Sequence, residues 1–261
     1  MFELPAMPAP SGHWPITCQG IEMDIRFFLE QRLSFIKQLY INGTAPFIER
    51  IRKIDAEEAP FIPPYSEDVE PAFLTEWLEA DSSIEVLGGA CLSMVSASLH
   101  LYLTEWHRRL GTPPGPSLKQ IFKNQGWPNG YRAFYAAHGA TPFEEGPFDF
   151  SLIEELVLAR NSTQHPDSLV FDTPRYSDDA LAKMRSPFFV SDRESALIEE
   201  NDGETRQWLC RPSINVTSEK FLYAIDQVSV FVEWLEKQGE QIQQKQWEER
   251  KHQRKEAVDR S

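Results

Sequence analysis

The stretch Ser151-Leu-Ile-Glu-Glu-Leu-Val-Leu-Ala-Arg160-Asn161-Ser-Thr-Gln-His165-Pro166 decides how the rest of the chain is read. It opens like a helix start: Ser151 as N-cap with Glu154 three residues on makes a capping box. It ends at Pro166, which cannot continue a helix and biases His165 away from helical backbone angles. Ile153, Leu156 and Val157 mark one helical face, and the next positions on that face are Arg160, Asn161 and Gln164. An apolar stripe thus turns polar over its last turn, just before a forced stop. Such an end either ties off the last helix carbonyls or presents a cationic, hydrogen-bonding site where the helix emerges from a bundle.

Working outward, the neighbouring segments are also helical in pattern. Upstream, Ile21, Ile25, Phe28, Phe35 or Ile36, and Leu39 follow helical spacing, Asn42 to Pro46 interrupts it, and a second piece runs from Pro46 to about Glu58. Proline at a first helical position suits such a restart. Ala59 to Pro71 reads as a loop, Ala72 to Ala80 as a short helix, and Asp81-Ser82-Ser83 as a cap region. From Ile84 to Leu110 runs the most hydrophobic helix, with Ala90, Cys91, Met94, Ala97, Leu99, Leu101 and Leu103 covering nearly all sides. Short helices are expected over 117–124 and 130–138, split by the turn residues Gly126 to Gly130.

Beyond Pro166 the chain is mixed and polar to Asn215, with apolar bursts at Phe188 to Val190 and Trp208 to Cys210 that allow a small β-hairpin within 185–215. A final stripe, Phe221, Ile225, Val228, Val232, Leu235 and Ile242, follows Thr217 or Ser218 as N-cap. The expected architecture is all-α: an up-and-down four-helix bundle with loop and short-helix insertions. Residues 1–19 read as a disordered arm, 20–238 as one helical domain, and 239–261 as a charged helical or frayed tail.

With 261 residues, 41% hydrophobic and 12% aromatic, the composition is that of a globular protein. A formal charge of −14 means that any contact with RNA must be local, because the whole molecule repels polyanions. The same charge disfavours an anionic membrane surface. Three scattered cysteines without a framework, and no export signal, point to a reducing, cytoplasmic setting. The longest apolar run, Gly88 to Leu103, is interrupted by serines and His100, so no membrane span is expected.

Common catalytic signatures are absent from the sequence: no Gly-rich phosphate loop, no His-Glu-x-x-His, and not the two Glu-x-x-His motifs that a di-iron bundle needs. No cofactor or metal is therefore expected. His100 and His107, two turns apart without acidic partners, read as partly buried helix histidines, and Cys91 as a core residue. Glu154 and Glu155 read as capping and solvated charges.

What remains is Arg160-Asn161-x-x-x-His165. At the end of the third main helix of an all-α bundle, it resembles the R-x(4–6)-H motif of HEPN-domain proteins. The resemblance rests on these six residues and the order of helices, over roughly Gly20 to Gln238. It implies metal-independent cleavage of single-stranded RNA by a homodimer, in a toxin–antitoxin or phage-defence setting, with an antitoxin or other regulatory protein as partner. In that reading Arg160, Asn161 and His165 are catalytic, and Ser162, Thr163 and Gln164 contact substrate. The chemistry is sound: RNA carries its own nucleophile in the 2′-hydroxyl, so an enzyme needs to move protons and stabilise a phosphorane. Histidine titrates near neutrality and arginine donates in fork geometry to phosphate oxygens. Residues five apart on a helix point about 140° away from each other, so Pro166 would have to free His165 for the two to meet. The alternative from another class is a non-catalytic helical module that binds a nucleotide or protein partner.

Overall fold

The computed structural model describes residues 24–65, 70–111, 115–165, 174–184, 186–200 and 211–259. The expected arm at 1–19, the Pro166 stop and the apolar burst at 208–210 lie outside them, as do Cys18 and Cys210. Among the described residues the fold is mostly helical: α1 Ile25–Asp55, α2 Leu74–Leu110, α3 Pro116–Ala137, α4 Phe150–Gln164, α5 Asp178–Leu181, α6 Asp192–Glu200 and α7 Ser218–Asp259, with a 3-10 turn at Phe143–Glu145.

In α1 the Asp24 carboxylate accepts from Phe27 N at 3.0 Å, which caps the helix. Leu29, Leu33, Ile36 and Tyr40 make its buried stripe. The interruption expected at Asn42 to Pro46 does not break it, and Pro46 lies inside one continuous helix. Thr44, buried there, donates to Tyr40 O at 2.8 Å, and the stripe is held against α2 on both sides of the proline. α2 is continuous as well. Asp81, Ser82 and Ser83 sit within it, and Ser83 Oγ bonds back to Glu79 O at 2.7 Å instead of capping a new helix. Gly111 closes it in the left-handed conformation, φ 64°.

Paired contacts fix the directions of α1, α2, α4 and α7. Trp77 meets Asp55, Arg50 lies near Glu79 and Gly43 faces Leu87, so α1 and α2 run antiparallel. Arg26 reaches Glu236 while Tyr40 stacks near Phe221, so α7 is antiparallel to α1. Phe150 packs by Phe231, and Asp149 N bonds Gln227, at the end of α4 away from Val216. α4 therefore runs against α7 and against α2, where Thr163 meets Gly89. In chain order the four alternate in direction. A Cβ on Gly89 would come 2.9 Å from Thr163 Cγ2, and one on Gly88 would come 2.6 Å from Val216 Cβ. Two small residues thus let α4 and the lead-in to α7 approach the α2 backbone.

α2 is not buried on all sides. Val86, Ala90, Ala97 and Leu101 are exposed on one face, with Leu101 at 59%. By length and composition α2 would pass for a membrane span, but 61% of its most apolar window is buried inside the protein. α3 carries the expected break, since Gly126 takes φ 82° in mid-helix. The hairpin allowed within 185–215 does not form among the described residues. Instead a single antiparallel bridge joins Arg175 to Ser213, and Tyr176, Phe189, Val190 and Ile214 fold inward beside it. α7 runs through the expected boundary at 239 as one helix, and packing continues to Ile242, which is 2% exposed. Thr217 is its cap: Lys220 N donates to Thr217 Oγ1 at 3.3 Å.

Candidate functional site

Helix α4 begins two residues earlier than its sequence signal. Asp149, not Ser151, is the N-cap, accepting from Ser151 N at 2.9 Å and Leu152 N at 3.3 Å. The early start brings Phe150 into the ring cluster with Phe143 and Phe231. Glu154 is then free of capping and accepts from Asn129 Nδ2 of α3. The buried stripe is also phased differently: Leu152, Glu155, Leu156, Ala159 and Ser162 point inward with Ile153, while Val157 and Arg160 are half-buried and Asn161 is exposed.

Glu155 is the largest departure from expectation. Read as a solvated charge, it is 3% exposed. Its carboxylate accepts from Tyr176 OH at 2.7 Å, from Phe188 N at 2.8 Å to each oxygen, and from Phe189 N at 2.8 Å. Burial pushes the carboxyl pKa up, and these donors pull it partly back. The signal was present in the sequence, because Glu155 shares the helical face of Leu152, Leu156 and Ala159. A cavity of about 270 Å³ opens beside it, lined by Asp149, Leu152, Pro187, Phe188 and Lys220. The lysine is committed there: its ammonium donates to Val190 O and lies 3.9 Å from Asp192.

The last turn of α4 is different. Arg160 donates from Nη1 to Asn161 Oδ1 at 2.9 Å, and among the described residues no carboxylate pairs with its guanidinium. His165 leaves the helix at φ −130°, ψ 63°, with its N–H still bonded to Asn161 O at 2.9 Å and its ring exposed. No hydrogen bond joins Arg160 to His165 among the described residues. Of the three residues between Asn161 and His165, only Gln164 is exposed. Ser162 is buried, and Thr163 packs on Gly89 with its hydroxyl donated to Ala159 O at 2.9 Å. The expected substrate contacts at Ser162 and Thr163 are corrected accordingly: Ser162 is buried and Thr163 turns toward α2.

Beside this turn stands a residue the sequence reading set aside. His100 of α2 is exposed and stacks on Trp127 of α3, with centroids 4.9 Å apart and planes 11° from parallel. Tyr131 adds an edge at 6.4 Å. Burial of one ring face, with the Arg160 charge nearby, lowers the His100 pKa and favours the neutral ring. Spacing along the chain gives no hint of this, since His100 comes under the Arg160 charge and against Trp127 only through the packing of α2, α3 and α4. Among the described residues no group of three His, Cys, Asp or Glu side chains gathers as a metal site. The buried Cys91 thiol is pushed up by desolvation.

Comparison of the chain with protein-family models, with curated proteins and with solved structures gives no match.

Proposed function

We propose that this chain is a metal-independent endoribonuclease of the HEPN type, acting on single-stranded RNA in the cytoplasm within a toxin–antitoxin or defence system. The observation that carries the reading is the end of α4: an arginine without an ion pair among the described residues, bonded to Asn161, with an exposed histidine turned out of the helix next to them. In a protein of charge −14, a guanidinium with no carboxylate partner among the described residues is available to an anion. The alternating directions of α1, α2, α4 and α7 suit the bundle that such a motif requires.

The chemistry follows from the groups present. The 2′-oxygen attacks the adjacent phosphorus while a histidine takes its proton. The bond from phosphorus to the 5′-oxygen breaks, a second acid protonates that oxygen, and the products are a 2′,3′-cyclic phosphate and a 5′-hydroxyl. Arg160 and Asn161 donate to the phosphorane oxygens. One exposed histidine supplies one proton-transfer group, and a symmetric pair supplies two. The exposed apolar face of α2 (Val86, Ala90, Ala97, Leu101), with Phe28, Phe35 and Leu39 of α1, is the surface on which a second copy would sit.

The test is cleavage of single-stranded RNA by purified protein in EDTA, with end-group analysis for cyclic phosphate. Intact RNA, or equal cutting by Arg160→Ala and His165→Ala, sinks the proposal. The lack of a hydrogen bond between Arg160 and His165 among the described residues favours the second reading, a non-catalytic nucleotide- or protein-binding module, in which both variants change partner binding alone.

A further inference from the structure

Three helices converge on one furrow. Trp127 and Asn129, at the break in α3, reach in two directions: Trp127 lies flat against His100 of α2, and Asn129 bonds Glu154 of α4. Asn161 is seven residues from Glu154 on the same helical face, about 10 Å along α4. The α3 turn therefore closes one end of a furrow between α2 and α4, and Arg160 with Asn161 stands at the other. Helical side chains lean toward their own N-terminus, which tilts Arg160 from the open end back toward His100.

The His100–Trp127 pair has the construction of a stacking platform. One ring face of the imidazole is backed by the indole at 4.9 Å, and His100 nevertheless remains exposed. Its ring orientation is held from below by Trp127 and from the side by Tyr131, whose hydroxyl is 3.2 Å from Thr104 Oγ1. A planar group laid on His100 extends an aromatic stack already in place, and the charge of Arg160 acts on the same ring. A base with its phosphate has that combination: flat, aromatic and negatively charged.

We propose that His100, backed by Trp127, is a nucleobase-stacking subsite that holds one base of a single-stranded RNA whose phosphate lies on Arg160 and Asn161. This deepens the ribonuclease reading and rests on it for the identity of the strand, but it concerns binding alone. It also explains how so acidic a protein holds RNA at all: stacking carries a share of affinity that net charge does not oppose.

The probe is an eight-residue 2′-O-methyl oligoadenylate, which cannot be cut because its internal nucleophile is blocked. Its affinity for wild type, His100→Ala, His100→Tyr and Arg160→Ala is measured by anisotropy at fixed salt, with thermal unfolding as a check on the fold. His100→Ala is expected to weaken binding about tenfold, the size typical of one lost stacked base. His100→Tyr restores binding to within about threefold, since a flat ring is what the site requires. An abasic oligomer of the same backbone should bind wild type no more tightly than the oligoadenylate binds His100→Ala. Equal affinity of wild type and a folded His100→Ala, or of base-bearing and abasic oligomers, overturns the proposal, as does failure of wild type to bind. The two readings separate cleanly. If native RNA survives intact while this binding pattern holds, the nuclease reading falls and the platform stands. If Arg160→Ala and His165→Ala abolish cutting while His100→Ala binds normally, the platform falls and the nuclease stands.

Discussion

Glu155 and Arg160 lie on one helix, little more than a turn apart, and the fold treats them in opposite ways. Glu155 is buried and receives hydrogen bonds from Tyr176, Phe188 and Phe189, so both its oxygens are spoken for by the segment that crosses α4. Arg160 is half-exposed and bonded only to its neighbour Asn161 among the described residues. A buried charge survives only where donors replace its water, so Glu155 is read as an anchor. A charge at a helix end with no counter-ion among the described residues is open to a ligand. The difference lies in the completeness of the partner set, not in residue type or position along the helix.

The sharpest break between the two ends is kinetic. If the open end is the reactive one, Arg160→Ala and His165→Ala should each lower RNA cleavage at least about 100-fold, the scale of losing one transition-state donor. Stability should move by no more than about 0.5 kcal/mol, because both residues are outside the core. Cleavage assays beside denaturant titrations check both halves. A large stability loss in either variant would show that this end is structural too, and the contrast with Glu155 would vanish.

The anchor end predicts the reverse. Glu155→Ala leaves the Phe188 and Phe189 N–H groups and the Tyr176 hydroxyl without their acceptor, at a cost of about 3 kcal/mol. Thermal unfolding should fall by about 6–12 °C for a chain of this size. Its pH dependence has a definite sign. Burial raises the Glu155 pKa in the folded state. Its contribution is therefore full below the unfolded value of about 4.3 and lost as pH rises through the folded pKa. Glu155→Gln does not titrate, so wild type should lose ground against it between pH 4 and the folded pKa, as read by urea unfolding at several pH values.

These two ends also show what the sequence could and could not reveal. The helical class and the α7 stripe from Phe221 to Ile242 follow from local periodicity. The α1 stripe, in contrast, is shifted onto Leu29, Leu33, Ile36 and Tyr40, with Phe28 and Leu39 exposed. In the last turn of α4, Asn161 and His165 are exposed but Arg160 is half-buried. The α4 cap was misplaced because Ser151 and Glu154 match a capping box, while Asp149 prevails through the burial of Phe150 against Phe143 and Phe231. That contact is tertiary. Glu155 was misread for a similar reason: its face is evident from Leu152, Leu156 and Ala159, but its donors come from positions 176, 188 and 189, in a stretch with no periodic signal. His100 lay in the most apolar helix, and its meaning depends on a tryptophan 27 residues away.

A weaker lever acts on both ends through the α2 contact. Gly89→Ala adds a methyl 2.9 Å from Thr163 Cγ2, and Thr163 cannot swing aside easily while its hydroxyl is held by Ala159 O. Overpacking costs about 1–3 kcal/mol and alanine regains about 1 through helix propensity. A net loss of about 1 kcal/mol is expected, measured by urea unfolding. If the shift is transmitted along α4, cleavage should suffer more than stability, whereas the Glu155 anchor should keep the N-terminal half in place.

The smallest effect tests the link between Arg160 and His100 directly. Burial against Trp127 and the Arg160 charge both lower the His100 pKa, so the neutral ring is the folded state's preferred form. Stability from that ring is present above the unfolded value of about 6.5 and lost as pH falls through the folded pKa. Arg160→Gln removes only the charge. The His100 pKa should then move up, yet stay below that of an exposed histidine because the indole still covers one face. An NMR titration of the His100 ring in wild type, Arg160→Gln and Trp127→Ala separates the two causes. Trp127→Ala should give the larger rise, since burial is the main cause. If Arg160→Gln leaves the His100 titration unmoved, the guanidinium is not close to the furrow, and the open end of α4 is confined to its own last turn.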